Sequence, residues 1–122
     1  MIRSFLDLEV YQESFQASLE VEDLLKYFPR DEKYLLVDQM KRCCRAIPAL
    51  IAEGYAKRES IKEFQKFLRD ALAEANEMMN HLAFAKARKY LDITKADELI
   101  EKYSIIGKKL SKLKENWQTY KK

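Results

Sequence analysis

The stretch IKEFQKFLRDALAEANEMMNHLAFAKAR, residues 61–88, carries one unbroken pattern. Ile61, Phe64, Phe67, Leu68, Ala71, Leu72, Ala75, Met78, Met79, Leu82 and Ala85 recur at steps of three and four, which puts them on one side of an α-helix. Lys62, Lys66 and Arg69 fall on the opposite side, no glycine or proline interrupts the run, and the helix is expected over about 59–88, starting near Glu59 or Ser60. An apolar stripe of this length needs partner helices to cover it.

The flanking sequence supplies three of them. Towards the N-terminus, residues 31–53 place Leu36, Met40, Cys43, Ile47, Leu50 and Ile51 on one face, with Asp38, Lys41, Arg42 and Arg45 opposite. Pro48 lies inside this pattern and should kink the helix, and Gly54 is expected as its left-handed cap. Before it, residues 7–28 read as a helix capped by Asp7, with Leu8, Tyr11, Phe15, Ser18, Leu19, Glu22 and Leu25 at helical spacing and Pro29 ending it. Val10, Val21, Leu24 and Phe28 widen that arc. Beyond Arg88, Thr94 and Asp97 form a capping-box variant that opens a helix over 95–119. Its seam is Ala96, Leu99, Tyr103, Ile106, Leu110, Leu113, Trp117 and Tyr120, with Gly107 as a point of close approach to another helix. Four long helices with short connections predict an all-α, antiparallel up-down-up-down four-helix bundle, formed by residues 1–122 as one domain.

Composition agrees. The chain has 122 residues, 2 glycines, 2 prolines, 48% apolar and 35% charged residues. Collagen-like repeats, glycine-rich phosphate loops and turn-dense β-sandwiches are excluded, and the apolar fraction is that of a folded globule. No apolar run is long enough to span a bilayer, and no leader pattern opens the chain. Adjacent Cys43 and Cys44 are poorly placed to bridge each other, so a reducing, cytoplasmic setting is expected.

Catalytic equipment is sparse. A di-iron bundle needs two Glu-x-x-His motifs, whereas His81 is the single histidine and the glutamate before it, Glu77, is four positions away. His81 therefore reads as an ordinary flank residue, and no metal or cofactor is implied. Cys43 lies on the apolar face and Cys44 at its edge beside Arg45, so packing is the expected role of both. No serine has a credible base, and the paired carboxylates read as solvated faces. The expectation is a protein that is not an enzyme.

The charges suggest a different role. The net charge is only +3, but residues 31–69 carry nine basic and six acidic groups, and residues 102–122 seven and one. Lys41, Arg42, Arg45, Lys57, Arg58, Lys62, Lys66 and Arg69 form a candidate phosphate-binding surface, with the turn pair and Lys62 expected to cluster. No exposed aromatic is interleaved among them, so base-specific reading of single strands is not indicated. A second candidate surface, for another subunit or partner, is the outer face of residues 61–88, where Ala73, Asn76, Asn80 and Ala87 surround Phe84. The rival function is thus a protein-interaction scaffold whose cations only keep it soluble.

Asp7-Leu8-Glu9-Val10-Tyr11-Gln12, Phe28-Pro29-Arg30-Asp31-Glu32, Gln39, Ile47-Pro48, Ile51-Ala52-Glu53-Gly54 and Glu63-Phe64-x-x-Phe67-Leu68 form an ordered set. In this set the chain resembles the four-helix-bundle proteins encoded in intervening sequences of bacterial 23S ribosomal RNA genes. The resemblance covers residues 5–90 by motif and the last helix by pattern. It implies a ring-like homopentamer with a basic surface for nucleic acid. It also implies distant kinship with the accessory variability determinant of diversity-generating retroelements, a pentameric bundle that binds a reverse transcriptase and nucleic acid. Two positions depart from the pattern: Leu50 stands where a polar Asn is usual, and Ala73-Glu74 where a small Gly-Ser pair is common.

Overall fold

The computed structural model describes the backbone of residues 1–121 and the side chains of residues 1–117. Among these residues there are four α-helices and no strand: α1 (Glu9–Leu25), α2 (Leu36–Ala56), α3 (Ile61–Ala87) and α4 (Ile93–Lys121). Each helix packs on its neighbours around a ring, α1 on α2, α2 on α3, α3 on α4 and α4 back on α1, with the α3–α4 and α2–α3 seams the most extensive. This is the up-down-up-down bundle that short connections between long helices require.

The helix ends are displaced from the expected positions for identifiable reasons. Ser4 and Asp7 form a reciprocal capping box around a single 3-10 turn, Phe5–Asp7, so Asp7 caps that turn and α1 starts at Glu9. Pro29 leads into a second 3-10 turn, Arg30–Glu32, which delays α2 to Leu36. The Glu32 carboxylate accepts the Leu36 N–H at 3.4 Å and the Tyr90 hydroxyl at 2.8 Å, tying this corner to the α3–α4 connection. α3 starts where expected, with the Ser60 hydroxyl accepting the Glu63 N–H. At the head of α4, Asp92 rather than Thr94 acts as cap: its carboxylate accepts the Lys95 N–H and its carbonyl the Ala96 N–H.

Gly54 plays a different part from the one expected. Gly54 lies inside α2, which continues to Ala56, and no glycine has positive φ. A Cβ there would sit 2.5 Å from Phe67 Cβ and 3.2 Å from Phe64 Cδ1, so Gly54 is where α2 and α3 touch most closely. Gly107 meets α3 as well, but its Cβ would face only Leu72 Cδ1, at 3.1 Å. The left-handed residue is Lys89, φ 63°. Around it the Tyr90 N–H reaches the Ala85 carbonyl and the Lys89 N–H the Lys86 carbonyl, a Schellman closure of α3.

The core matches the periodic stripes of α2, α3 and α4, with Tyr103, Phe64, Met40, Ile47, Leu68 and Met78 among its largest fully buried side chains. Tyr120, assigned to the α4 seam, lies outside the described side chains. α1 departs from expectation. Val10, Ser14, Ala17, Ser18, Val21 and Leu25 form its buried face, whereas Phe15 and Leu19 point outward, 45% and 46% exposed. Small residues let α1 lie close to its neighbours, and the Ser14 and Ser18 hydroxyls are satisfied by the Tyr11 and Phe15 carbonyls.

Candidate nucleic-acid interface

α2 and α3 run antiparallel, with Gly54 against Phe64 and Phe67 and the Cys43 thiol against the Glu74 carbonyl. This register places Lys57, Arg58 and Lys62 around the α2–α3 turn, and Lys66 and Arg69 on the following turns of α3. Lys41 and Arg42 lie about 22–24 Å back along α2, at 1.5 Å per residue. The eight cations are therefore spread along the seam, and it is their partners that divide them into an α2 group and a turn group.

The α2 group is largely matched by carboxylates. Arg45 clamps Glu22 of α1 through two bonds, Nε to Oε2 at 2.8 Å and an η nitrogen to Oε1 at 2.6 Å. That hydrogen-bonded pairing holds the Glu22 carboxyl below its ordinary range and raises the Arg45 guanidinium further. Arg42 pairs with Asp38 one turn earlier, at 3.2 Å. Lys41 is exposed and lies within the field of Glu22.

The turn group is arranged differently. Lys57 Nζ stands 4.9 Å from the centre of the Phe67 ring. The Arg58 guanidinium lies 4.1 Å over Tyr55 and donates to the Tyr55 carbonyl at 3.0 Å. These contacts orient the two heads without neutralising them. Lys62, Lys66 and Arg69 are exposed, and among the described residues none of the five makes an ion pair. Glu59 and Glu63 share this end and moderate the field.

The second surface is present as a face. Ala73, Asn76, Asn80, Phe84 and Ala87 are all exposed on α3, with Phe84 49% exposed and Arg88 5.7 Å from its ring centre. Two further features escaped the periodicity. Tyr27 and Tyr34 flank the Pro29 turn, each 80% exposed, with Lys33 Nζ 5.4 Å from the Tyr34 ring. The outward stripe of α1, with Phe5, Tyr11, Phe15 and Leu19, forms a groove with Pro48, Ala49 and Ala52 of α2. Their apolar character was the signal, but it reads equally well as core.

Cys44 is not at an edge but wholly buried, and burial pushes its thiol up to about 12. At neutral pH it is protonated and a poor nucleophile. His81 is not a flank residue either: it is 8% exposed, with Nε2 3.3 Å from Glu77 Oε2.

A family model described as 23S rRNA-intervening sequence protein matches residues 6–112. The chain belongs to that family. The matched span holds α1 to α3 and most of α4, so both candidate surfaces lie within it. Its fold is also that of a crystallised protein of unknown function from the S23 ribosomal protein family of Bacteroides thetaiotaomicron. The two are 23% identical with a TM-score of 0.78, over 87% of this chain and 95% of that one. No curated protein matches the sequence. Among the described residues no helix is long and apolar enough to cross a membrane.

Proposed function

We propose that this family member is a non-enzymatic, self-associating bundle that holds the phosphate backbone of RNA or DNA without reading its bases. The contacts are Lys57, Arg58, Lys62, Lys66 and Arg69. The observation that carries the reading is the contrast within the eight cations: Arg42 and Arg45 are engaged by Asp38 and Glu22, while those five, and Lys41 near Glu22, make no ion pair among the described residues. A phosphate has less to displace at the turn than on α2. The aromatics of the turn lie under cations, with Tyr55 buried, so they offer no stacking platform and the binding is indifferent to sequence. One such patch is weak, and several copies in a ring make it strong through effective concentration.

Fluorescence polarisation with a labelled RNA duplex at rising salt tests this. Affinity should fall with salt at a log–log slope of about −0.9 per phosphate contacted. Replacing Arg58, Lys62 and Lys66 together by Glu should weaken low-salt binding by at least about tenfold, while Arg42→Ala with Arg45→Ala leaves it within about twofold. Wild-type affinity no better than millimolar at low salt, or an unaffected triple variant, defeats the proposal. The second reading, docking of a protein on the outer face of α3, is favoured by the exposure of Phe84 among small residues. It predicts a partner lost on Phe84→Glu with duplex binding absent from the outset.

A further inference from the structure

Cys43 of α2 and Glu77 and His81 of α3 each present one ligand atom, and these atoms all lie within 4.8 Å of one another. We propose that the three hold a zinc ion across the α2–α3 seam, with water as the fourth ligand. Glu77 and His81 stand one helical turn apart and so share a face, and Cys43 faces them from the adjacent helix. The edges of a tetrahedral zinc shell with thiolate, imidazole and carboxylate ligands are about 3.3–3.7 Å, given bond lengths of about 2.0–2.3 Å. The His81 Nε2 to Glu77 Oε2 separation is already 3.3 Å, the length of such an edge.

The donor set fits the environment. Cys43 and His81 are buried and Glu77 is half open to solvent, which gives an entry path from the rim. On binding, the Cys43 thiol releases its proton to water as the Zn–S bond forms. One thiolate, one carboxylate and one neutral imidazole then balance the dication, a neutral arrangement suited to a site of low dielectric. In the free protein the thiol donates to the Glu74 carbonyl at 3.2 Å, which keeps it on the α3 side. Cys44, by contrast, is turned towards its own helix, with its thiol on the Lys41 carbonyl at 3.5 Å, and makes an internal control.

Cobalt substitution for zinc in the reduced, chelator-treated chain reads the site directly. The expected result is one Co²⁺ per chain, a near-ultraviolet thiolate-to-cobalt charge-transfer band, tetrahedral visible bands, and displacement by Zn²⁺. Cys43→Ser should abolish the charge-transfer band, and Cys44→Ser should keep it. Glu77→Gln is nearly isosteric at an exposed position and should fold normally, yet weaken Zn²⁺ binding about tenfold or more, as should His81→Gln. The absence of a charge-transfer band in the wild type overturns the proposal. So does a band that survives Cys43→Ser, or equal Zn²⁺ affinity in the wild type and Glu77→Gln. Duplex RNA binding does not involve these residues, so the outcome is independent of the nucleic-acid reading.

Discussion

Two glycines carry opposite constraints although both sit inside helices. At Gly54 an added methyl collides with Phe67 Cβ, next to the α3 backbone, and with the buried Phe64 ring. Gly54→Ala should therefore force α2 and α3 apart and cost about 1–3 kcal/mol, as overpacking does, despite the better helix propensity of alanine. At Gly107 the methyl meets only the far end of the half-buried Leu72, which can rotate. Gly107→Ala should be neutral or stabilising by up to about 1 kcal/mol. Urea unfolding of the two variants checks both signs, and equal destabilisation would show that the seam contacts are misassigned. In the sequence Gly54 reads as a cap because it follows a periodic run, and Gly107 as the point of close approach, so the tighter contact at Gly54 was hidden. Lys89 was hidden for the converse reason: a left-handed lysine leaves no compositional mark, and only the Schellman bonds to Ala85 and Lys86 identify it.

Among the described residues, most ion pairs between helices involve α1. Glu22 bonds Arg45 of α2, Glu20 bonds Lys95 and Lys102 of α4, and Lys109 of α4 bonds Glu9 and Glu13. Hydrogen bonds from these cations hold the Glu9, Glu20 and Glu22 carboxyls below their ordinary value of 4.5. A carboxyl lowered in the folded state contributes stability that is complete above its unfolded value and is lost as the pH falls through the folded one. Acid should thus release α1 first, at pH values below 4.5, while α3, with buried residues from Phe64 to Ala85, stays protected. Amide hydrogen exchange at pH 7 and at about pH 3.5 reads this, and uniform loss across all four helices would refute it. Glu20→Gln should reproduce part of the effect at neutral pH, by on the order of 1 kcal/mol or less because the pairs are partly solvated. The same helix is where periodicity misled. α2, α3 and α4 bury large apolar side chains, so their stripes are readable, but α1 buries Ser14, Ala17 and Ser18 and exposes Phe15 and Leu19. Side-chain size is a guide to burial only where helices stand far enough apart to need filling. The candidate basic surface was legible in the same partial way: the sequence places cations at the α2–α3 turn, whereas the Glu22 clamp on Arg45 spans 23 residues and leaves no local trace.

For the molecule as a whole, the groove between α1 and α2 and the cations of the α2–α3 turn make linked demands. Phe15 and Leu19 are each nearly half exposed beside Phe5, Tyr11, Pro48, Ala49 and Ala52, an apolar strip that Ser18 and the Glu22–Arg45 pair border. If copies of the chain associate through it, Phe15→Glu with Leu19→Glu places two carboxylates in the contact and adds no void to the core. The double variant should keep its helicity and thermal unfolding, and light scattering should show its mass falling to the 14.5 kDa of one chain. Because the α2–α3 turn of each copy offers only five contacts, the monomer should also lose most of its low-salt affinity for duplex RNA, by about 10²-fold, although no residue near a phosphate has changed. The two readouts separate the possibilities: a wild type that is already monomeric removes self-association, and a monomeric variant with undiminished affinity shows that a single turn patch suffices. Loss of both together ties the apolar strip to the basic one, and makes the exposure of Phe15 and Leu19 the reason that a chain of net charge +3 can hold a polyanion.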